Sequence, residues 1–153
     1  MCDAIDRDDV QRFMDGTKAA LVVADPPYNV AVESDSARLA ADARGRIMND
    51  DMPADEFAGF LNAVFLNDAV IMDPATAIYV FHPSSYQRQF EDSMNAAGIV
   101  VRSQCIWVKN AFAFGFAQYK YKHEPILCSF TEGGSRLVRG LQANDGLASR
   151  VAC

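Results

Sequence analysis

The stretch that decides the fold is Ala19-Ala20-Leu21-Val22-Val23-Ala24-Asp25-Pro26-Pro27-Tyr28. Its first six residues form a short continuous apolar run, which reads as a fully buried strand over 19–24. Pro26 and Pro27 have no N–H to give to a sheet ladder, so the strand stops there. The chain then presents an acid, two rigid carbonyl-bearing residues and an aromatic ring at the carboxyl end of a strand. Open α/β sheets bind their ligands at that edge.

Working outward, Val10, Phe13 and Met14 recur at helical spacing, which predicts a helix over 6–14 closed by Asp15-Gly16. Residues 29–53 are polar and alanine-rich and read as a long loop ending in Asn49-Asp50-Asp51-Met52-Pro53. Phe57, Phe60, Leu61, Val64 and Phe65 then fall on one face of a helix over 54–69. A turn is expected at Asp73-Pro74. A second buried strand spans 77–81 and ends at His82-Pro83. Ser84 or Ser85 is placed to cap the next helix, with Tyr86, Phe90 and Met94 inward and Gly98 closing it. Strands over 99–108 and 124–130 follow, and 109–123 between them is crowded with aromatics and lysines. Gly133-Gly134 breaks the pattern, and 137–153 carries no strong signal. Alternating strands and helices spell an α/β domain with a mostly parallel sheet. The last two strands lack an intervening helix and are expected as an antiparallel edge pair.

Length and composition bound the reading. At 153 residues, half of them hydrophobic, the chain is expected to form one domain with a real core. No apolar run reaches the roughly 18 residues of a membrane helix, and the acidic N-terminus lacks signal-peptide character. A cytoplasmic protein with no membrane partner is expected. Cys2, Cys105, Cys128 and Cys153 form no C-x-x-C pair, so no zinc or thioredoxin-type site is supported; Cys105 and Cys128 lie in apolar runs and read as buried thiols. No G-x-G-x-x-G, P-loop or G-x-S-x-G occurs, which removes the key residues of dinucleotide, NTPase and hydrolase sites.

The net charge of −6 argues against a generic nucleic-acid binder, but it is unevenly spread. Residues 101–153 carry 7 basic and 3 acidic side chains. Arg102, Lys109, Lys120, Lys122, Arg136 and Arg139 are therefore the candidate contacts to a polyanion. A solvated basic face without a partner reads equally well.

Five stretches together carry a family resemblance. They are Leu21–Val30 with its Asp25-Pro26-Pro27-Tyr28, Asn49-Asp50-Asp51-Met52, Ala77–Pro83, Ile106-Trp107-Val108-Lys109-Asn110, and Lys122–Leu127. In this order the chain is similar to the β-class DNA amino-methyltransferases, particularly the adenine-specific enzymes of phage and prophage, over about residues 2–131. The resemblance implies a partial Rossmann-like methyltransferase sheet and S-adenosylmethionine as cofactor. It also implies double-stranded DNA as substrate, in a restriction-modification or phage setting.

Asp25, Pro26, Pro27 and Tyr28 take the catalytic role in that resemblance. The lone pair of an exocyclic amine is delocalised into its ring. Asp25 and the Pro26 carbonyl can each accept one amine hydrogen, so that the lone pair points at the methyl group. Tyr28 can stack on a base swung out of the duplex. An acid at position 25 implies adenine rather than cytosine. Asp3 and Ala4 match the end of the family's Gly-Asp-Ala segment, and with Asp25 and Pro26 are the implied cofactor contacts, although Cys2 stands where the family has glycine. By the charge asymmetry, Lys109, Lys120 and Lys122 are the candidate nucleic-acid contacts; Tyr119 and Tyr121 interleave with Lys120 and Lys122 as a surface for a nucleotide, and an ordinary amphipathic loop reads equally well.

Several neighbours have a plainer reading. Asp50 and Asp51 precede a helix, where acids are favoured anyway. His82 before Pro83 reads as structural, and Trp107 as core. His123 and Glu124 open the last strand and are weaker site candidates. The family's target-recognition region and its Phe-x-Gly-x-Gly type cofactor loop have no match after residue 131. The expected organisation is a catalytic half-domain over 1–132 and an irregular tail over 133–153, with a missing C-terminal half or a second copy as a possible partner. Two function classes stay open: an adenine-specific methyltransferase, or a catalytically inactive remnant or nucleic-acid-binding module of the same fold.

Overall fold

The computed structural model describes residues 3–29, 49–111, 122–130 and 151–152. In chain order the elements are α1 (Arg7–Met14), β1 (Ala19–Ala24), α2 (Ala54–Ile71), β2 (Met72–Phe81), a 3-10 turn (Ser84–Tyr86), α3 (Gln87–Ala96), β3 (Val101–Val108), β4 (His123–Phe130) and β5 (Val151–Ala152). Lys120, Tyr119, Tyr121, Arg136, Arg139 and most of the 29–53 loop lie outside the described residues.

The strands form one sheet in the order β1-β2-β4-β3-β5. β1 and β2 pair in parallel, and β4 runs antiparallel to both β2 and β3. β1, β2 and β3 therefore point the same way, and the antiparallel pairings gather on one side, in the expected α/β Rossmann-like arrangement. The sequence did not reveal that β4 would sit between β2 and β3. Nor did it reveal that Val151–Ala152 of the tail would pair with Trp107 and Ile106.

One sheet face is covered by α2 and α3. Phe57, Leu61 and Phe65 of α2 meet Phe90 and Met94 of α3 and Ile78 and Val80 of β2, all fully buried. Phe57 and Phe65 both pack edge-on against Phe90, at 6.1 and 6.2 Å between centroids. These are the residues whose 3.6-residue spacing marked the helices, and burying each contributes on the order of 2 kcal/mol. The other face carries a smaller cluster of Cys105, Ile126 and Cys128 with Tyr79 and Phe81. Cys128 is a free thiol, whereas Cys105 is disulfide-bonded, which its apolar setting did not indicate.

Four local expectations are corrected. β1 is not buried on both faces: only Val22 is fully buried, and Leu21 and Val23 are 53% and 61% exposed. β1 is the outermost strand, and its second face has no cover among the described residues. Asp73-Pro74 does not separate α2 from a strand; β2 already begins at Met72. Ala19 faces Met72 and Leu21 faces Ala77, so the Asp73–Thr76 stretch bulges from the ladder. Thr76 holds it, accepting from the Asp73 N–H at 2.9 Å and donating to the Ala19 carbonyl at 2.6 Å. Neither Ser84 nor Ser85 makes a side-chain cap, because the chain enters α3 through the 3-10 turn. Helix α1 is capped by Asp6, as acidic turns are, but buries none of its residues.

His82 ends β2 fully buried. Its Nε2 faces Gln104 Nε2 at 3.2 Å, which makes Nε2 the acceptor and leaves Nδ1–H to donate to the Pro83 carbonyl at 3.2 Å. Burial lowers its pKa, so the ring is neutral and ties β2 to β3 behind the sheet edge.

Among the described residues, Asp68 on α2 is the exception to polar satisfaction: its Oδ2 is buried with no hydrogen-bond partner, and desolvation raises its pKa to about 6. A carboxyl raised above its ordinary 3.8 stabilises the fold fully below about pH 4 and loses that contribution as pH rises through about 6. Asp68→Asn is therefore expected to be more stable than wild type at pH 8, by on the order of 2 kcal/mol. Urea unfolding across pH 4 to 8 should show the gap closing towards pH 4.

Candidate active site

The chain leaves the sheet at Asp25 because the two prolines cannot continue the ladder, and residues 25–29 are irregular. Pro26 is buried, Pro27 and Tyr28 are half-buried, and Asp25 is exposed. These four residues line a cavity of about 510 Å³ together with Asp50, Trp107, Lys109 and Glu124. The volume falls in the range of small-molecule sites, roughly 300–1,000 Å³.

Asn29 closes the loop behind Tyr28. It adopts a left-handed φ of 54°, which asparagine tolerates better than most residues. Its buried amide donates to the Met52 carbonyl at 3.0 Å and accepts from the Met52 N–H at 2.6 Å. That two-point clamp joins the two ends of the 30–48 segment and brings Asp50, itself buried, to the cavity wall. Asp50 is thus more than a favourable charge before α2.

The opposite wall comes from the β3/β4 pair. Trp107 faces Glu124 directly across the ladder, and the Lys109 N–H continues it by donating to the Lys122 carbonyl at 2.6 Å. Lys109 Nζ lies 2.5 Å from Glu124 Oε1 and 5.3 Å from the Trp107 ring centroid. Trp107, expected in the core, is 38% exposed and lines the cavity. It packs with Phe81 on the sheet face opposite α2 and α3, so neither helix covers the indole.

Among the described residues the lining carries three carboxylates, Asp25, Asp50 and Glu124, and one ammonium, Lys109. The Tyr28 hydroxyl lies in the field of the Asp25 carboxylate. Burial first, then the charges of Asp25 and Glu124, push its pKa well above the ordinary tyrosine value. Tyr28 is therefore a neutral donor with an accessible ring. The cavity favours ligands that bring N–H donors or positive charge.

Of the residues singled out from sequence, Asp25, Pro26, Pro27, Tyr28, Asp50, Lys109 and Glu124 meet at this cavity. Asp3 and Ala4 do not line it. Asp3 takes part in the turn before α1, accepting from the Ile5 N–H, and the Ala4 carbonyl accepts from Asn67 of α2 at 2.8 Å. Lys122 is exposed beside it, and Arg102 lies over the Phe130 ring at 5.3 Å, away from the lining. Trp107 and Asn29 are the residues whose part sequence reasoning missed. Asn29 could have been found from its place after a Pro-Pro-Tyr turn, where a left-handed residue is needed.

No family model matches the chain, and no curated protein matches it in sequence. Solved structures do share its fold. M1.HpyAVI superposes with a TM-score of 0.56 at 15% identity, over 87% of this chain and 55% of that one. TTHA0409 of Thermus thermophilus, described as a DNA modification methylase, superposes with a TM-score of 0.52 at 17% identity, over 88% and 56%. Both proteins also have structures in complex with S-adenosylmethionine, with TM-scores of 0.53 and 0.51. The fold is therefore that of these proteins. The chain spans about half the length of the structures it matches.

Replacing Asn29 by alanine leaves both backbone groups of Met52 unpaired and puts a Cβ residue at positive φ without a compensating bond. Urea unfolding should show a loss of about 1–3 kcal/mol. Asn29→Gly, which keeps the φ but not the amide, should lose about 1 kcal/mol less.

Proposed function

We propose that this chain forms the base-binding part of an S-adenosylmethionine-dependent DNA methyltransferase that modifies the exocyclic amine of adenine. The observation that carries the reading is the placement of Asp25, the Pro26-Pro27 pair and Tyr28 on one wall of a negatively charged cavity at the carboxyl edge of β1. The shared fold supports it.

In this reading the amine of a flipped base enters the cavity beside Asp25. One amine hydrogen goes to the Asp25 carboxylate and the other to the Pro26 carbonyl. The direction of that carbonyl is restrained because proline φ is locked. With both hydrogens held, the nitrogen lone pair turns out of conjugation and becomes nucleophilic. Orientation supplies most of the acceleration, and the negative wall stabilises the positive charge that develops on nitrogen. Tyr28 stays neutral and packs its ring on the base.

S-adenosylmethionine would supply an electrophilic methyl group on a cationic sulfur, and the excess of carboxylates fits a cation. Asp25 and Pro26 are the described residues placed to contact it; Asp3 and Ala4 are proposed contacts from the resemblance alone. Double-stranded DNA is the proposed macromolecular substrate, with Lys120 and Lys122 proposed as its contacts from the charge of their stretch of sequence. A second polypeptide or a second copy of this chain is a proposed partner. No helix among the described residues is long and apolar enough to cross a membrane.

The test is transfer of labelled methyl from S-adenosylmethionine to unmethylated DNA, with nucleoside analysis of the product. N6-methyldeoxyadenosine is the expected product; N4-methyldeoxycytidine would correct the base. Asp25→Ala is expected to lower the rate by roughly 100-fold or more. A rate unchanged in that variant would sink the mechanism.

A further inference from the structure

We infer that Trp107 is the stacking wall for the planar ring of the substrate base, and that the Lys109–Glu124 ion pair holds the indole in place. The inference rests on the amine-methylation reading and adds to it the residues that hold the ring rather than the amine.

Trp107 is the single tryptophan of the chain, and it is constrained on several sides while part of its surface stays open to the cavity. Phe81 packs against it edge-on, at 6.0 Å between centroids and 84° between planes. Lys109 Nζ stands over the ring at 5.3 Å. Glu124, the cross-strand partner of Trp107, anchors that ammonium at 2.5 Å. A large ring fixed this way loses little further freedom when a second ring stacks on it, so the contact is pre-organised. Base–aromatic stacking is indifferent to the identity of the base, whereas Asp25 and Pro26 select for an amine. The cavity thus divides its work: acceptors at β1 take the amine, and the indole at β3 takes the face of the ring.

The same geometry changes the part played by Lys109. An ammonium already paired with a carboxylate and seated on an aromatic face is poorly placed to neutralise a phosphate. Lys109 is a positioning residue acting through Trp107, and Glu124 acts through Lys109.

The sole tryptophan makes the test direct. Saturable quenching of Trp107 emission is expected when the chain is titrated with 2′-deoxyadenosine. By calorimetry, Trp107→Phe should bind it within about 3-fold of wild type, because a ring is kept. Trp107→Leu, checked for folding by circular dichroism, should bind it about 10-fold more weakly or worse. Lys109→Met should alter the emission of the unliganded indole and weaken binding several-fold, an optical change that a purely structural lysine would not produce. Emission that stays constant to millimolar deoxyadenosine, or a leucine variant that binds like wild type, would overturn the inference. Asp25→Ala separates the two readings, since it should abolish methyl transfer yet still show quenching. Quenching without methyl transfer in the wild type would leave the stacking wall standing and remove the chemistry.

Discussion

The structure turns on the end of β1. Two prolines without N–H groups force the chain out of the sheet beside β2, at the edge where the parallel strands finish. Everything chemically notable lies within reach of that exit. Asp25 leaves exposed, Pro26 is buried, and Tyr28 stands half-buried beside them. The turn needs a residue that tolerates positive φ to finish it, and Asn29 both adopts that φ and uses its amide to hold Met52. A backbone constraint in the sequence thus becomes a wall of the cavity.

The facing wall has a different origin. β4 lies between β2 and β3 and runs against both, so its first residues stand beside the last residues of β3. Trp107, Lys109 and Glu124 come together only because of that register. Behind them His82, held neutral by burial and bonded to Pro83 and Gln104, ties the end of β2 to β3. The helices contribute little to the cavity directly. Their aromatic packing of Phe57, Phe65 and Phe90 gives the sheet a rigid back, against which the two walls keep their spacing.

Much of the fold was readable because its signals are local. Apolar spacing in 54–71 and 87–96 marked both main helices, and continuous apolar runs marked β2 and β4. The misreadings share a cause. Leu21 and Val23 look like core until their face of β1 proves to have no cover among the described residues. Trp107 looks like core until it proves to lie against Phe81 on the face opposite the helices. Asp73-Pro74 looks like a boundary, but a hydroxyl from Thr76 and a carbonyl from Ala19 keep the bulged chain within a strand. Each depends on a neighbour remote in sequence, which periodicity cannot see.

By itself the sequence determined where β1 must stop and which four residues would stand at its end, because proline geometry acts within one or two residues. It also determined which faces of α2 and α3 would be buried, because the spacing of apolar side chains is a local property. Only the tertiary structure decided that Asp50 would be buried beside the Asp25 loop. It alone decided that Trp107, Lys109 and Glu124 would face that loop as a fixed aromatic and ionic wall. The physical reason is strand order: a side chain's partners across a sheet are set by which strands pair and in what register, and neither is encoded in any one stretch.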